Sequence, residues 1–355
     1  MKKVLYISNI EVPYRSEFFN QLSKEVDLTV LYERRKSSNR DENWSKSVPI
    51  NYKIKYLKGI KIKNEYSVDL SIVKHVLFGK YDEIVFGCFN SISQIIATRI
   101  MLLLGKKYMM NIDGEYYLEG KQIKQIIKRH LIKGAKLYLV AGKIPAAKLE
   151  KYIDKDKIVS YLFSSLTEKE ILYNKENKNI NNNNYVLVVG QYFDYKGIDN
   201  AIECAKLSPK INYKFIGSGN RSDILKKKIQ ENAVTNIEVI PFLEKEQLYE
   251  EYKNCKMLLL PSNKECWGLV VNEAASFGCP IISTLGSGAA IEFLNDSYSE
   301  LLSKESSGKS IFKTLNNLYY ADEDYIIKYK KFLIEKSQEY TIENNVKTYA
   351  NIINR

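Results

Sequence analysis

Residues 185–197 read YVLVVGQYFDYKG. Tyr185–Val189 is a short run of β-branched, aromatic and leucine residues, the composition of a strand buried on both faces. Gly190 then opens a turn, and a helical pattern follows over Asp199–Lys206. The unit repeats outward, with strand-like runs at Lys214–Ile216, Ile237–Ile240 and Met257–Leu260. Towards the N-terminus the pattern is the same. Val4–Ser8 reads as a strand, Asn9–Tyr14 as a loop, and Arg15–Lys24 as a helix with Phe18, Phe19 and Leu22 on one face. Strand-like runs continue at Asp27–Tyr32, Ile84–Phe86, Tyr108–Ile112 and Leu137–Val140. Strands alternating with helices imply α/β architecture with parallel, doubly wound sheets.

A chain of 355 residues is long enough for two such domains. The run NKENKNINNNN over 174–184 is polar and of low complexity, as in a linker. The expected organisation is therefore an N-terminal domain over 1–173, a linker over 174–184 and a C-terminal domain over 185–339. The stretch from about Asp324 to Arg355 is helical by pattern, with a break at Tyr340 and Thr341. Two such halves make a cleft, and open α/β sheets bind ligands at the carboxyl ends of their strands.

Composition narrows the function. Five cysteines without a C-x-x-C pair fit reduced thiols in a cytoplasmic protein, and with two histidines they make a structural zinc site improbable. The basic start has too short an apolar run for a signal peptide, and no stretch reaches transmembrane length. A formal net charge of +12 favours anionic partners. No zinc-finger spacing, aromatic RNA-binding motif or recognition helix accompanies it, so nucleic acid is not the expected one.

The most informative segment is Glu265-Cys-Trp-Gly-Leu-Val-Val-Asn-Glu273. Two carboxylates bracket Gly268 at a helix start. A glycine there lets a ligand approach the backbone, and the N–H groups of Leu269 and Val270 would face an anion. Glu273 lies further along the helix, where a carboxylate can accept from a diol. Alone, the pair reads equally well as two solvated glutamates.

In context the chain resembles the retaining family 4 glycosyltransferases of the GT-B fold, two Rossmann-like domains facing across a cleft. The resemblance rests on Val188-Val-Gly-Gln-Tyr-Phe-Asp-Tyr-Lys-Gly197, Phe215-Ile-Gly-Ser-Gly219, Ile240-Pro-Phe-Leu243 and Pro261 to Ala275, continuing to Gly278-Cys-Pro280. It implies a nucleotide-sugar donor, a glycan or lipid-linked acceptor, and work in surface polysaccharide or glycolipid synthesis without cofactor or metal. It also implies that Glu265 contacts the donor sugar, Glu273 the ribose hydroxyls and Lys196 the diphosphate. Gly217 and Ser218 would pass close to the nucleotide, and Phe242 and Leu243 would meet its base through backbone groups. The helix over 340–355 would pack back on the first domain. The plain alternatives are an exposed turn lysine at Lys196 and an ordinary strand-exit turn at Gly217.

Two positions depart from the family. Gln191 stands where an arginine is common, which shifts phosphate binding towards Lys196 and nearby bases such as Arg15. Met110-Asn-Ile-Asp-Gly114 carries no histidine, leaving Asp113 as the polar candidate near the acceptor, unless it is a turn aspartate. Asn9, Tyr14 and Arg15 follow the first strand as contacts to phosphate or acceptor, with packing under the first helix the alternative for Tyr14. A basic run over 121–136 alternates lysines and arginine with Ile123, Ile126 and Ile127. It suits either an anionic membrane surface, placing the protein peripherally on the inner face, or a solvated helix covering the sheet. The main rival to an enzyme is a non-catalytic partner that stabilises an active transferase. Epimerisation of a sugar nucleotide is a second rival, for which two histidines leave little acid–base choice.

Overall fold

The computed structural model describes residues 1–35, 49–63, 66–88, 91–113, 123–178, 183–217 and 219–355. These form two compact units, Met1–Phe163 with Ile342–Arg355, and Ser164–Thr341.

In the first unit, the apolar run at the N-terminus becomes β1 (Lys3–Ile10), followed by α1 (Pro13–Leu22) and β2 (Asp27–Arg34). Phe18, Phe19 and Leu22 are fully buried beneath α1, each contributing roughly 1.5–3 kcal/mol. The unit continues through β3 (Lys53–Tyr56), a small antiparallel pair β4 (Ile60–Lys63) and β5 (Tyr66–Val68), α2 (Ser71–Phe78) and β6 (Glu83–Phe86). Then come α3 (Ile92–Leu103), β7 (Met109–Ile112), α4 (Ile123–Leu131), β8 (Leu137–Ala141), α5 (Lys143–Leu149) and β9 (Ile158–Tyr161). The sheet order is β3-β2-β1-β6-β7-β8-β9, all parallel, with the reversal between β1 and β6.

The second unit begins with α6 (Glu168–Glu176) and β10 (Tyr185–Val189), then α7 (Ile198–Leu207), β11 (Asn212–Ile216), α8 (Ser222–Glu231), β12 (Ile237–Ile240) and α9 (Lys245–Asn254). It continues with β13 (Met257–Leu260), α10 (Leu269–Ser276), β14 (Ile281–Thr284), α11 (Gly288–Leu294), β15 (Leu302–Ser303), α12 (Gly308–Tyr319) and α13 (Glu323–Ser337). Its parallel sheet runs β12-β11-β10-β13-β14-β15, with the reversal between β10 and β13. The last helix, α14 (Ile342–Asn354), belongs to the first unit, where the Tyr349 ring meets Phe18 at 5.0 Å between centroids.

Two expectations shift. The units divide at Phe163/Ser164, ahead of the asparagine-rich run. The reason is α6, which a Thr167–Glu170 capping box starts and which buries Ile171 and Asn174. Asn174 donates to Ser276 Oγ at 2.8 Å, so the first residues of the run are helix held on the second unit. Residues 179–182 of the run lie outside the described residues. The basic run over 121–136 is also not one helix. It stops at Leu131, and Gly134 takes φ +110°, so Lys133 and Lys136 lie beyond it. Among the described residues, no helix is long and apolar enough to cross a membrane.

Candidate active site

In a doubly wound sheet, the two strands at the order reversal send their following loops apart, which opens a crevice at their carboxyl ends. In the second unit those strands are β10 and β13. The loop after β10 carries Gln191 to Lys196, and the loop after β13 carries Ser262 to Gly268.

These loops are joined by backbone. The Tyr195 carbonyl accepts from the Asn263 N–H at 2.9 Å and the Lys264 N–H at 3.1 Å, and Asn263 Nδ2 donates to the Asp194 carbonyl at 3.0 Å. Gly197 makes this approach feasible. It sits at φ +66°, and a Cβ there would run into the Pro261 carbonyl oxygen. The joined loops bring the Lys196 ammonium onto the Glu265 carboxylate as a partly buried ion pair, with Ser262 Oγ 3.5 Å from the same carboxylate.

The second loop rests on a third. The Glu265 N–H donates to the Gly286 carbonyl at 2.7 Å, Ser287 Oγ donates to the Trp267 carbonyl at 2.9 Å, and Thr284 Oγ1 donates to the Ser262 carbonyl. Gly268 has φ +102°, and a Cβ on it would lie 2.9 Å from Ser287 Oγ. Leu269 and Val270 follow as the first residues of α10, where N–H groups have no partner within the helix. A cation, a carboxylate and a helix start are thus gathered around one glycine.

Glu273 lies apart from that pair. Its carboxylate accepts from Tyr252 Oη at 2.9 Å and lies 3.4 Å from Ser165 Oγ. Burial pushes its pKa above the ordinary 4.5, against the lowering effects of the Tyr252 hydrogen bond and the Lys245 charge. The folded state therefore binds the proton more tightly than the unfolded chain. This contribution to stability is fully present below about pH 4.5 and declines as pH rises through the raised folded value. Glu273→Gln removes the decline. Urea midpoints of variant and wild type should diverge in the variant's favour between pH 4 and 8, and parallel curves would contradict this.

The remaining expected positions are strand exits. Gly217 takes φ +95°, and a Cβ on it would meet the Gly190 backbone at 3.5 Å, so the loops after β10 and β11 run side by side. Phe242 and Leu243 follow β12, both half-buried. Gln191 is half-buried, and its carbonyl accepts from the Phe193 N–H at 3.0 Å. Ser218 lies outside the described residues.

The first unit has a second polar cluster. Arg15, only 6% exposed, donates to Asp113 and places its guanidinium carbon 5.1 Å over the Phe163 ring. Asp113 Oδ1 also accepts from Asn111 Nδ2 at 2.7 Å and Tyr161 Oη at 2.6 Å. Asn111 Oδ1 in turn accepts from Tyr161 Oη at 3.0 Å and from Tyr349 Oη of α14. Arg15 pairs with Asp113 through Nη2, and its buried Nη1 finds no hydrogen-bond partner among the described residues. Asp113 is held directly by three residues, Arg15, Asn111 and Tyr161, with Tyr349 behind Asn111. Tyr14 packs edge-on against Phe163 at 5.8 Å, and the exposed Asn9 caps the Ile10 N–H through Oδ1 at 2.8 Å.

Sequence reasoning missed Asn111, which bonds Asp113 two residues on, and Tyr161 and Tyr349, which reach Asn111 across 50 and 238 residues without a local signal. It also missed the Gly286–Ser287 turn, which its small residues could have flagged.

Residues 170–340, just under half of the chain, match the family described as Glycosyl transferases group 1. An uncharacterized glycosyltransferase of Methanocaldococcus jannaschii is 28% identical over 153 residues, 42% of this chain and 42% of that protein. Alpha-galactosylglucosyldiacylglycerol synthase of Streptococcus pneumoniae is 29% identical over 153 residues, 41% of this chain and 40% of the synthase. The chain thus spans less than half the length of these relatives. HepE of Anabaena, solved with UDP and glucose, superposes with a TM-score of 0.71 at 13% identity over 100% of both chains. The chain has the GT-B fold, with two Rossmann-like domains.

Proposed function

We propose that this chain is a glycosyltransferase of the group 1 family that residues 170–340 match, moving a hexosyl group from a nucleotide-sugar donor to a glycan or lipid-linked acceptor with retention at the anomeric carbon. The observation that carries the reading is the Lys196–Glu265 pair beside the start of α10, at the reversal of the second sheet.

The chemistry follows from charge. As the anomeric C–O bond breaks, negative charge grows on the leaving diphosphate. Lys196 turns from Glu265 to meet it, and the Leu269 and Val270 N–H groups add fixed dipoles. Glu265, released from the ammonium, accepts from the sugar hydroxyls. Glu273 accepts from the ribose diol, and the backbone at Gly217, Phe242 and Leu243 borders the base. The acceptor oxygen bonds to the anomeric carbon on the face the diphosphate leaves. Its proton passes to the departing phosphate oxygen, which balances the step without a separate base. In this scheme the ammonium and amides carry the charge, and no metal or cofactor takes part. Asp113 and its framework, with Asn9 and Tyr14, would serve the acceptor. UDP in HepE supports a nucleotide donor, and the glycolipid synthase supports a lipid acceptor.

The test is release of nucleoside diphosphate from a panel of UDP-, GDP- and ADP-sugars, with Glu273→Ala as control. Release with one donor, lost in the control, supports the enzyme. Silence together with no donor binding would favour a non-catalytic GT-B partner.

A cytoplasmic place at the inner face of a membrane belongs to the same proposal. On α4, Ile123, Ile126 and Ile127 are 75%, 54% and 51% exposed, an unburied apolar stripe on a helix that also carries Lys128 and Arg129. Apolar and basic side chains together suit an anionic lipid surface. Replacing the three isoleucines with serine should weaken binding to phosphatidylglycerol vesicles in sedimentation at least tenfold, since two buried methylenes at roughly 0.8 kcal/mol each already exceed the about 1.4 kcal/mol of a tenfold change. Unchanged sedimentation would return α4 to an ordinary solvated helix.

A further inference from the structure

A departing diphosphate needs more positive charge than one lysine already shared with a carboxylate. Position 191, right after the β10 turn, holds an uncharged glutamine. The structure brings another cation to that loop from a neighbouring strand. Arg221 ends the short turn Gly219–Arg221 after β11. Its Nη1 lies 3.3 Å from the Tyr192 carbonyl, one residue from Gln191, and its guanidinium carbon sits 4.1 Å over the Phe193 ring. Phe193 stacks on Tyr195 at 5.5 Å and 15°, and the Lys196 ammonium lies 5.7 Å from the Tyr195 ring. The guanidinium from the β11 loop thus stacks on the aromatic pair of the β10 loop that also carries Lys196, at the order reversal.

That placement is the kind that recognises phosphate. A guanidinium has five N–H donors in one plane, matched to phosphate oxygens, and stacking on an aromatic face holds the plane in orientation. The loops after β10 and β11 run side by side at Gly190 and Gly217, and Arg221 crosses from the second to the first. We propose that Arg221 is a further donor-binding residue, supplying to the nucleoside diphosphate the positive charge that Gln191 lacks. This rests on the nucleotide-sugar reading above and adds a residue to it.

The experiment titrates UDP, GDP and ADP, and the parent nucleosides, into the full-length protein, Arg221→Gln, and Arg221→Gln combined with Gln191→Arg. With the diphosphate that wild type binds, Arg221→Gln should bind about tenfold more weakly, the loss of one charge-assisted contact. Its affinity for the parent nucleoside should be unchanged, and the added arginine at 191 should recover most of the loss. A merely structural arginine would weaken nucleoside and diphosphate alike and would not be rescued from position 191. Equal diphosphate affinity in Arg221→Gln and wild type overturns the role of Arg221 alone. No binding of any of the three diphosphates to wild type overturns the donor reading, and this inference with it.

Discussion

Lys196→Ala is expected to lower turnover roughly a hundred- to a thousandfold while leaving the protein folded. The size follows from the role proposed for the ammonium. A fixed charge aimed at a leaving group contributes about 2.7–4 kcal/mol to a transition state, and 1.36 kcal/mol is a factor of ten in rate. The structural loss is smaller. The pair with Glu265 is partly exposed, with 22% of the lysine side chain and 14% of the glutamate side chain accessible. Glu265 keeps Ser262 Oγ 3.5 Å away. A pair in that setting stabilises the fold by about 1 kcal/mol, against total stabilities of about 5–15 kcal/mol. Diphosphate release and thermal melting on the same preparation separate the two effects. An unchanged rate would remove Lys196 from the phosphate, and a melting shift that accounts for the rate loss would make the lysine structural.

Gly197→Ala should be the more damaging change to the fold. Two effects combine there. At φ +66° a Cβ carries the left-handed penalty of about 1–2 kcal/mol. It also enters the Pro261 carbonyl oxygen, so the Tyr195–Asn263 junction must open and Lys196 must leave Glu265. A total of about 3 kcal/mol or more is expected, with loss of donor binding. Gly105→Ala isolates the first effect. Gly105 has φ +65°, with nothing within 4 Å of its Cβ position. The control should lose about 1 kcal/mol in denaturant melts, under half the Gly197→Ala loss. Equal losses would mean that the Pro261 contact carries nothing.

The donor-side proposal and the membrane proposal fail separately. The isoleucines of α4 lie in the first unit, and the lysine, glutamates and arginine invoked for the nucleotide lie in the second. A vesicle result therefore leaves the nucleotide titrations untouched. The Glu273 prediction is also separable, because it concerns the folding equilibrium without ligand and rests on burial beside Tyr252.

What the sequence determined by itself was local. Tyr185–Val189 and Met257–Leu260 are strands with those bounds, because an uninterrupted apolar run can only be buried on both faces, and Ile237–Ile240, broken by the exposed Glu238, is a strand with its expected bounds at the sheet edge. The helix start at Gly268 and the break near Tyr340 were legible for the same reason, since caps and breaks act within a few residues. The edge strands Lys53–Tyr56 and Ile158–Tyr161 carried too weak a signal, being short and only partly buried. Tertiary structure alone decided which charges meet. Gln191 gave no hint of Arg221, thirty residues on, because that approach depends on two neighbouring strand exits. Arg15 read only as a cation for phosphate or acceptor, and its pairing with Asp113, 98 residues on, came from the fold. Electrostatic partners are set by distance in space and by removal from water, and neither is written in the spacing of residues along a chain.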